Sequence, residues 1–339
     1  MRGCMVKILL CGVMILHGAA AVAQSRYAVM FYNVENLYDT INDPYFGDDN
    51  MLPLSDREWS GERYEKKVKS IARVVADMAL LYDFPIMVGL AEVENRRVVE
   101  DVACDELLAE VDYGICHYDS DDERGIDVAL IYRKDLFELH GSRAIKVDLD
   151  TPTRDILLVW GLMCGEPMAV MVMHWPSRVG GEYATRPLRE ACAEKVRLVA
   201  DSITQAAPQT KIIIMGDMND TPKDRSVAKI LDARSNSKGQ LYNPFGKGVK
   251  RGTLVYQNRW YLYDQIIFSH NMLSGDSLHF KRCVQNTEKS EGSGLMLGTF
   301  CPNYLLDKKG YPLPSYHGDD YRGGVSDHLP VYVILYGGK

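Results

Sequence analysis

The chain has 339 residues, a formal net charge of −7 and 46% apolar residues. That apolar content supports a sizeable core and excludes a disordered chain, while the length allows one large domain or two small ones. An acidic body does not attract polyanions unaided, so a phosphate-bearing substrate needs local cations to admit it.

The chain opens with "MRGCMVKILLCGVMILHGAAAVAQ". Arg2 and Lys7 give a basic start, an apolar run follows, and Ala21-Val22-Ala23 fits a small-x-small cleavage site. This predicts a secretory signal peptide over 1–23, export to the periplasm or beyond, and one domain over 24–339. The apolar run is short of the ~20 residues of a membrane span, and no later segment is long enough. Removing the signal takes two positive charges and no negative one, from −7 to −9. Export permits disulfides. Cys104/Cys116 and Cys283/Cys301 are candidate pairs, and Cys164 and Cys192 read as core thiols.

Strand-length apolar runs then recur at 27–32, 85–91, 126–132, 156–163, 168–173, 211–216, 265–269 and 330–336. Two helices stand out. Tyr64, Val68, Ile71, Val75, Met78 and Tyr82 form one stripe. Leu188, Cys192, Val196, Val199 and Ile203 form another, with Thr185 as its candidate cap. Runs that are apolar almost throughout need cover on both faces. Two stacked, mainly antiparallel sheets flanked by helices fit best, with a plain α/β sheet as the alternative. The stretch 270–325, rich in Gly, Ser, Pro and Tyr, reads as a long ordered excursion rather than a second domain.

Polar residues gather at the ends of these runs. Asn33, Glu92, His174, Asp217 and Asn219 follow apolar runs, whereas Asp264, Asp327 and His328 precede them. Antiparallel pairing would bring all eight to one rim. Each has a structural alternative: an Asx turn at Asp217-Asn219, a helix cap at Asn33, a packed core ring at His174, a turn carboxylate at Asp327. Together they suggest a cluster. Glu92, Asp217, Asp264 and Asp327 in one place would repel one another by several kcal/mol, which a divalent cation relieves. Oxygen ligands from Asn33, Glu92 and Asp327, without paired His or Cys, favour Mg²⁺ or Mn²⁺, as one or two ions.

The motifs "NVEN", "GLAEVEN", "RGIDVALIYR", "HWPSR", "MGDMND", "YDQIIFS" and "SDHLPV", in that order, resemble the endonuclease/exonuclease/phosphatase superfamily of deoxyribonuclease I-like enzymes. The resemblance runs from about Tyr27 to Tyr336 and is nearest to secreted bacterial members. It implies a four-layer α/β sandwich and metal-dependent cleavage of phosphate esters. Carried over by motif, it makes Asn33 and Glu92 metal ligands, with Asp327 a second-site or water-linked ligand and Glu35 a further candidate. It makes Asp217 the group that orients or deprotonates the attacking water. Asn219 would hold a phosphate oxygen or that water, and His174 would donate to the phosphoryl oxygens. His328, oriented by Asp264, would bind phosphate or act as acid/base. Arg178, Arg124, Arg186 and Arg189 are candidate phosphate clamps, each with a solvated surface role as alternative.

The leading reading is a secreted phosphodiesterase, specifically a nuclease. A phospholipid phosphodiesterase or a phosphatase for small molecules or inositol phosphates keeps the chemistry and changes the substrate. A non-catalytic binding protein on the same fold predicts a break in the motif set, and none occurs. A lipid enzyme should expose an apolar hairpin near the rim, for which 297–306 is the candidate. Trp260, Tyr256 and Tyr261 read as packed between sheets, with base stacking as alternative. No basic run with interleaved aromatics indicates a long duplex-binding surface. No obligate protein partner is indicated.

Overall fold

Alternation along the first strand, β1 (Ser25–Leu37), shows why its sequence is apolar on both faces. Val29 and Phe31 enter one core while Met30, Tyr32 and Val34 enter another. A strand covered on both sides has no polar face. The computed structural model describes residues 25–236, 238–247, 249, 251–273, 278–280 and 296–337. The expected signal peptide and Cys283 lie outside them.

β1, β2 (Met87–Val93), β3 (Tyr113–His117) and β4 (Asp127–Arg133) belong to a first sheet. β5 (Phe137–Ile145), β6 (Ile156–Met163), β7 (Glu166–His174), β8 (Lys211–Asp217), β9 (Ala233–Arg234) and β10 (Leu241–Tyr242) belong to a second. After the hairpin β11 (Leu254–Tyr256)–β12 (Arg259–Tyr261), β13 (Asp264–Ser269) completes the second sheet. β14 (His279–Phe280) and β15 (Leu297–Thr299) return to the first. So does β18 (Val331–Gly337), after the hairpin β16 (Tyr316–His317)–β17 (Asp320–Tyr321).

Among the described residues the first sheet runs β14-β18-β1-β2-β4-β3, with β15 also on β18. The second runs β5-β6-β7-β8-β13-β10-β9. Most pairs are antiparallel; β1/β2, β7/β8 and β9/β10 are parallel. Helices α1 (Gly61–Met78) and α2 (Arg96–Ala103) cover the outer face of the first sheet through Tyr64, Val68, Ile71 and Val98. Helix α3 (Glu182–Ala206) covers the second through Ala193, Val196 and Ala200. Phe31, Met87 and Leu130 meet Val170, Met215 and Phe268 between the sheets. The result is four layers, α/β/β/α, rather than a single α/β sheet.

Three local expectations are corrected. Helix α3 begins at Glu182, because Gly181 at φ 111° turns the chain earlier than Thr185 would. Thr185 stands in the first turn, its hydroxyl donating to the Gly181 carbonyl at 3.0 Å. Tyr82 lies beyond the end of α1 while still packing on the same core. Cys104 and Cys116 are free thiols: Cys104 is exposed at the end of α2, and Cys116 is buried in β3 facing the inter-sheet core. Cys192 is a buried core thiol and Cys164 a half-buried one. Within 270–325, the described segments add β14 and β15 to the edge of β18, and Leu305, Tyr316 and Val325 join the core under α1. No helix of the described residues is long and apolar enough to cross a membrane.

Candidate active site

Two parallel pairs at the centres of the sheets decide where the polar ends meet. β1 and β2 run together, and so do β7 and β8, so four C-terminal ends share one rim. β13 runs against β8, which sets Asp264 opposite Asp217; His174 stands opposite Asp217 on the other side. β18 runs against β1, so the segment leading into it delivers Asp327 and His328 to the same rim. The Ser326 hydroxyl fixes that segment, donating to the Asn33 carbonyl at 2.7 Å and accepting from His328 N–H at 3.0 Å.

Glu92 and Asn219 adopt left-handed backbone, at φ 63° and 47°, as do Glu35 and Asn36. For residues with side chains this conformation is strained and clusters at functional positions. At Glu92 it coincides with a break in register against both β1 and β4, a bulge that re-aims the carboxylate toward the rim.

The side chains converge. Asn33 Nδ2 donates to Asp217 Oδ2 at 3.1 Å and lies 3.5 Å from Glu92 Oε1. His174 Nε2 lies 3.6 Å from Asp217 Oδ2 and 3.9 Å from Glu92 Oε1. His328 Nδ1 is 2.8 Å from Asp264 Oδ2, and its Nε2 is 3.7 Å from Asp217 Oδ2. Asp217 Oδ1 accepts from Asn219 N–H at 2.9 Å, while the Asn219 amide donates to the Trp175 carbonyl at 3.0 Å. Asp327 is exposed beside His328. Glu35 Oε2 accepts from Ser315 N–H at 2.8 Å.

Electrostatics separate the roles. Burial, reinforced by Asp264, raises the Asp217 carboxyl to about 7 against the pull of His328. Burial opposes charging His328, but Asp264, Asp327 and Asp217 outweigh it and hold its pKa well above the ordinary value. Burial lowers the His174 pKa well below the usual range, helped by Arg154 and Arg124, which keeps that ring neutral. Burial also works against the Glu92 anion, yet Arg124, His328 and Arg154 prevail and lower its pKa.

Of the four candidate arginines, Arg124 reaches this cluster, its Nη2 3.2 Å from Glu92 Oε2. Arg178 donates to the Asn219 carbonyl, Asp220 and Asp224 at 2.7, 2.6 and 2.7 Å, and lies over the Tyr263 ring. Arg189 is fully buried, pairs with Asp220 at 2.8 Å and bonds loop carbonyls. Arg186 lies over the Tyr183 ring. Asp220 thus organises two of the four.

Sequence reasoning missed Arg154 and Lys67. Arg154 is buried, pairs with Asp122 at 2.7 Å and donates to the carbonyls of His174 and Trp175, holding the end of β7. Its only sequence sign is a cation just before an apolar strand. Lys67 is buried, donating to the Glu35 carbonyl and to Ser315 Oγ. Its signal was readable: a lysine three residues after Tyr64 and four before Ile71 falls on the apolar stripe.

The model of the Endonuclease/Exonuclease/phosphatase family matches residues 28–336. The chain belongs to that family. Its fold is shared with truncated Caenorhabditis elegans TDP2 (TM-score 0.56, 15% identity, covering 92% of this chain and 98% of that one). It is also shared with a Bacteroides thetaiotaomicron mannosyl-6-phosphatase (TM-score 0.54, 20% identity, 91% and 99%). A third similar structure is D. rerio TDP2 complexed with single-strand DNA product (TM-score 0.54, 16% identity, 92% and 99%). No curated protein sequence matches the chain. Members of this family hydrolyse phosphoesters, and the convergent cluster stands where the strand ends of that fold meet.

The donors at this rim suit a hard divalent cation. Asp264 Oδ1 is buried without a hydrogen-bond partner, and Asp217, Asp264 and His328 gather within 4.8 Å of one another, His328 as the proton-bearing partner of the two carboxylates rather than as a ligand. Glu92 is held anionic beside them. Asn33 presents its amide nitrogen to Asp217 while its Oδ1 accepts from Glu35 N–H at 3.0 Å, so service as an oxygen ligand requires the amide to turn over.

Proposed function

We propose that the chain is a divalent-metal-dependent phosphoesterase that hydrolyses phosphodiester bonds. The observation that carries this reading is the meeting of Asp217, a neutral His174 and an Asp264-bonded His328 on one oxygen-rich rim. Asp217 orients the attacking water and takes its proton, and the Asn219 backbone fixes its carboxylate. His174 donates to a phosphoryl oxygen without adding charge. His328, aimed by Asp264, offsets the negative charge that builds on phosphate and hands a proton to the leaving oxygen. Mg²⁺ or Mn²⁺, held by Glu92, Asn33 and Asp327 with Glu35 as further candidate, would supply Lewis-acid activation and charge neutralisation.

Nucleic acid is the first substrate class to test. The β11–β12 hairpin, whose Leu254 bridges to His328, carries Tyr256 at 61% exposure and half-buried Trp260 and Tyr261, and aromatic faces of this kind stack on bases. A specific observation supports a second reading, a small phosphate ester: of the four candidate arginines only Arg124 contacts the carboxylates of the site, Arg178 meeting the Asn219 backbone and being tied to Asp220 and Asp224, which is little for a polyanion. The lipid reading loses its hairpin, because β15 is paired to β18 and Leu305 is buried. Export by residues 1–23 is part of the proposal and is tested by N-terminal sequencing of the protein recovered outside the cytoplasm.

A substrate panel of single-stranded DNA, RNA, sugar phosphates and bis-p-nitrophenyl phosphate, with Mg²⁺, Mn²⁺ or EDTA, tests the reading. Turnover with metal and none in EDTA is expected. Metal-independent turnover, or none on any phosphate ester, overturns it.

A further inference from the structure

Behind the catalytic rim lies a second acidic enclosure. A cavity of about 140 Å³ is lined by Asp43, Asp48, Glu94, Asp119 and Asp127. This is room for an ion with several waters. The five carboxylates come from three segments: the loop after β1, the residue following β2, and the β3–β4 loop with the first residue of β4. Backbone N–H groups take one oxygen of most of them. Asp43 N–H donates to Asp48 Oδ2 at 2.9 Å, Asp39 N–H to Glu94 Oε2 at 2.6 Å, and Ser120 N–H to Asp127 Oδ1 at 3.0 Å. Tyr45 N–H likewise donates to Asp43 Oδ1 at 2.9 Å, whereas the buried Asp48 Oδ1 has no hydrogen-bond partner.

Two independent observations point to a ligand. Asp48 is 1% exposed, yet its Oδ1 has no hydrogen-bond partner. His117, with a side chain 2% exposed, leaves Nε2 without one, 3.5 Å from Asp127 Oδ2. His117, Asp119 and Asp127 each bring a ligand atom within 4.8 Å of the others. Among the described residues, no lysine or arginine forms an ion pair with any of the five carboxylates; the imidazole of His117 is their sole basic neighbour within 4 Å. Buried carboxylates gathered without a counter-charge are costly, and a cation removes that cost.

We propose that this enclosure is a calcium site, distinct from the catalytic pocket, that ties the 39–49 and 117–127 loops to the end of β2. The donors are overwhelmingly hard oxygens on irregular loops, which suits the high and flexible coordination of Ca²⁺ better than the octahedron of Mg²⁺. The second loop carries Arg124, whose guanidinium touches Glu92. Calcium here would set the position of that arginine while taking no part in the chemistry.

The test is calorimetric titration with CaCl₂, paired with thermal unfolding, on wild-type, Glu92→Gln, Asp119→Asn and Asp48→Asn proteins. One Ca²⁺ per chain should bind to wild-type and Glu92→Gln protein with Kd values within twofold, raising Tm in both. Asp48→Asn and Asp119→Asn should each raise Kd at least tenfold. Asp119 is exposed, so its variant decides the question if Asp48→Asn fails to fold. Absence of Ca²⁺ uptake by Glu92→Gln protein, unchanged uptake by the folded cavity variants, or uptake of Zn²⁺ without Ca²⁺ overturns the proposal. These readouts are binding and stability, so they stand apart from any outcome on phosphoester turnover.

Discussion

Asp264 makes its one direct hydrogen bond to the catalytic residues through His328, and its charge also raises the Asp217 carboxyl. Its Oδ2 holds His328 Nδ1 at 2.8 Å, and it is fully buried at the start of β13. Asp264→Asn keeps the shape and removes the charge that sustains the imidazolium. It is expected to lower kcat ~10²–10⁴-fold, as is His328→Ala, with the double variant little worse than either alone. Additive losses in steady-state kinetics would show that the two act separately. Arg154 carries a different kind of residue effect. It and Asp122 form a buried pair, and removing one partner strands a charge. Asp122→Ala is therefore expected to cost about 3–5 kcal/mol of stability in urea unfolding. A cost below about 1 kcal/mol, the range of exposed pairs, would contradict that placement.

At the scale of elements, the site depends on how closely β7 and β8 approach. A Cβ on Gly216 would sit 2.2 Å from the Met173 carbonyl oxygen, which is backbone and cannot step aside. A Cβ on Gly89 would meet Met215 Sδ at 2.6 Å, the far part of a flexible side chain. Overpacking of this kind costs about 1–3 kcal/mol. Gly216→Ala should be the costlier of the two and should also displace Asp217, cutting turnover. Equal, negligible losses in both would mean the strands are less tightly apposed. The strands themselves were legible in the sequence, because runs covered on both faces are apolar on both faces. So was the recurrence of Asn33, Glu92, His174 and Asp217 at their ends. The parallel pairing of β1/β2 and β7/β8 was not, since strand direction leaves no mark in an apolar run. The partners of Arg178 and Arg189 were also hidden. An arginine aimed at phosphate and one folded back onto Asp220 look alike in a linear sequence.

For the whole molecule, an acidic chain that admits a phosphate ester must draw on few cations at the rim: Arg124 and His328 stand beside Glu92 and Asp217, while Arg154 is committed to Asp122 and to the carbonyls at the end of β7. The four-layer sandwich was readable from the excess of apolar strands over long helices and from the ordered motif set. The acidic cavity behind β2 was not, because Asp43, Asp48 and Asp119 each read as an ordinary loop carboxylate until the fold brings them together. Metal removal tests the molecule as a unit: EDTA is expected to abolish turnover, and added Mg²⁺ or Mn²⁺ to restore it. The most direct measurement is the rate of bis-p-nitrophenyl phosphate hydrolysis by wild-type and Asp217→Asn protein in Mn²⁺. Measurable turnover that falls ~10²–10⁴-fold in a folded Asp217→Asn protein is expected; equal rates in the two proteins would contradict the convergence of these strand ends into one catalytic site.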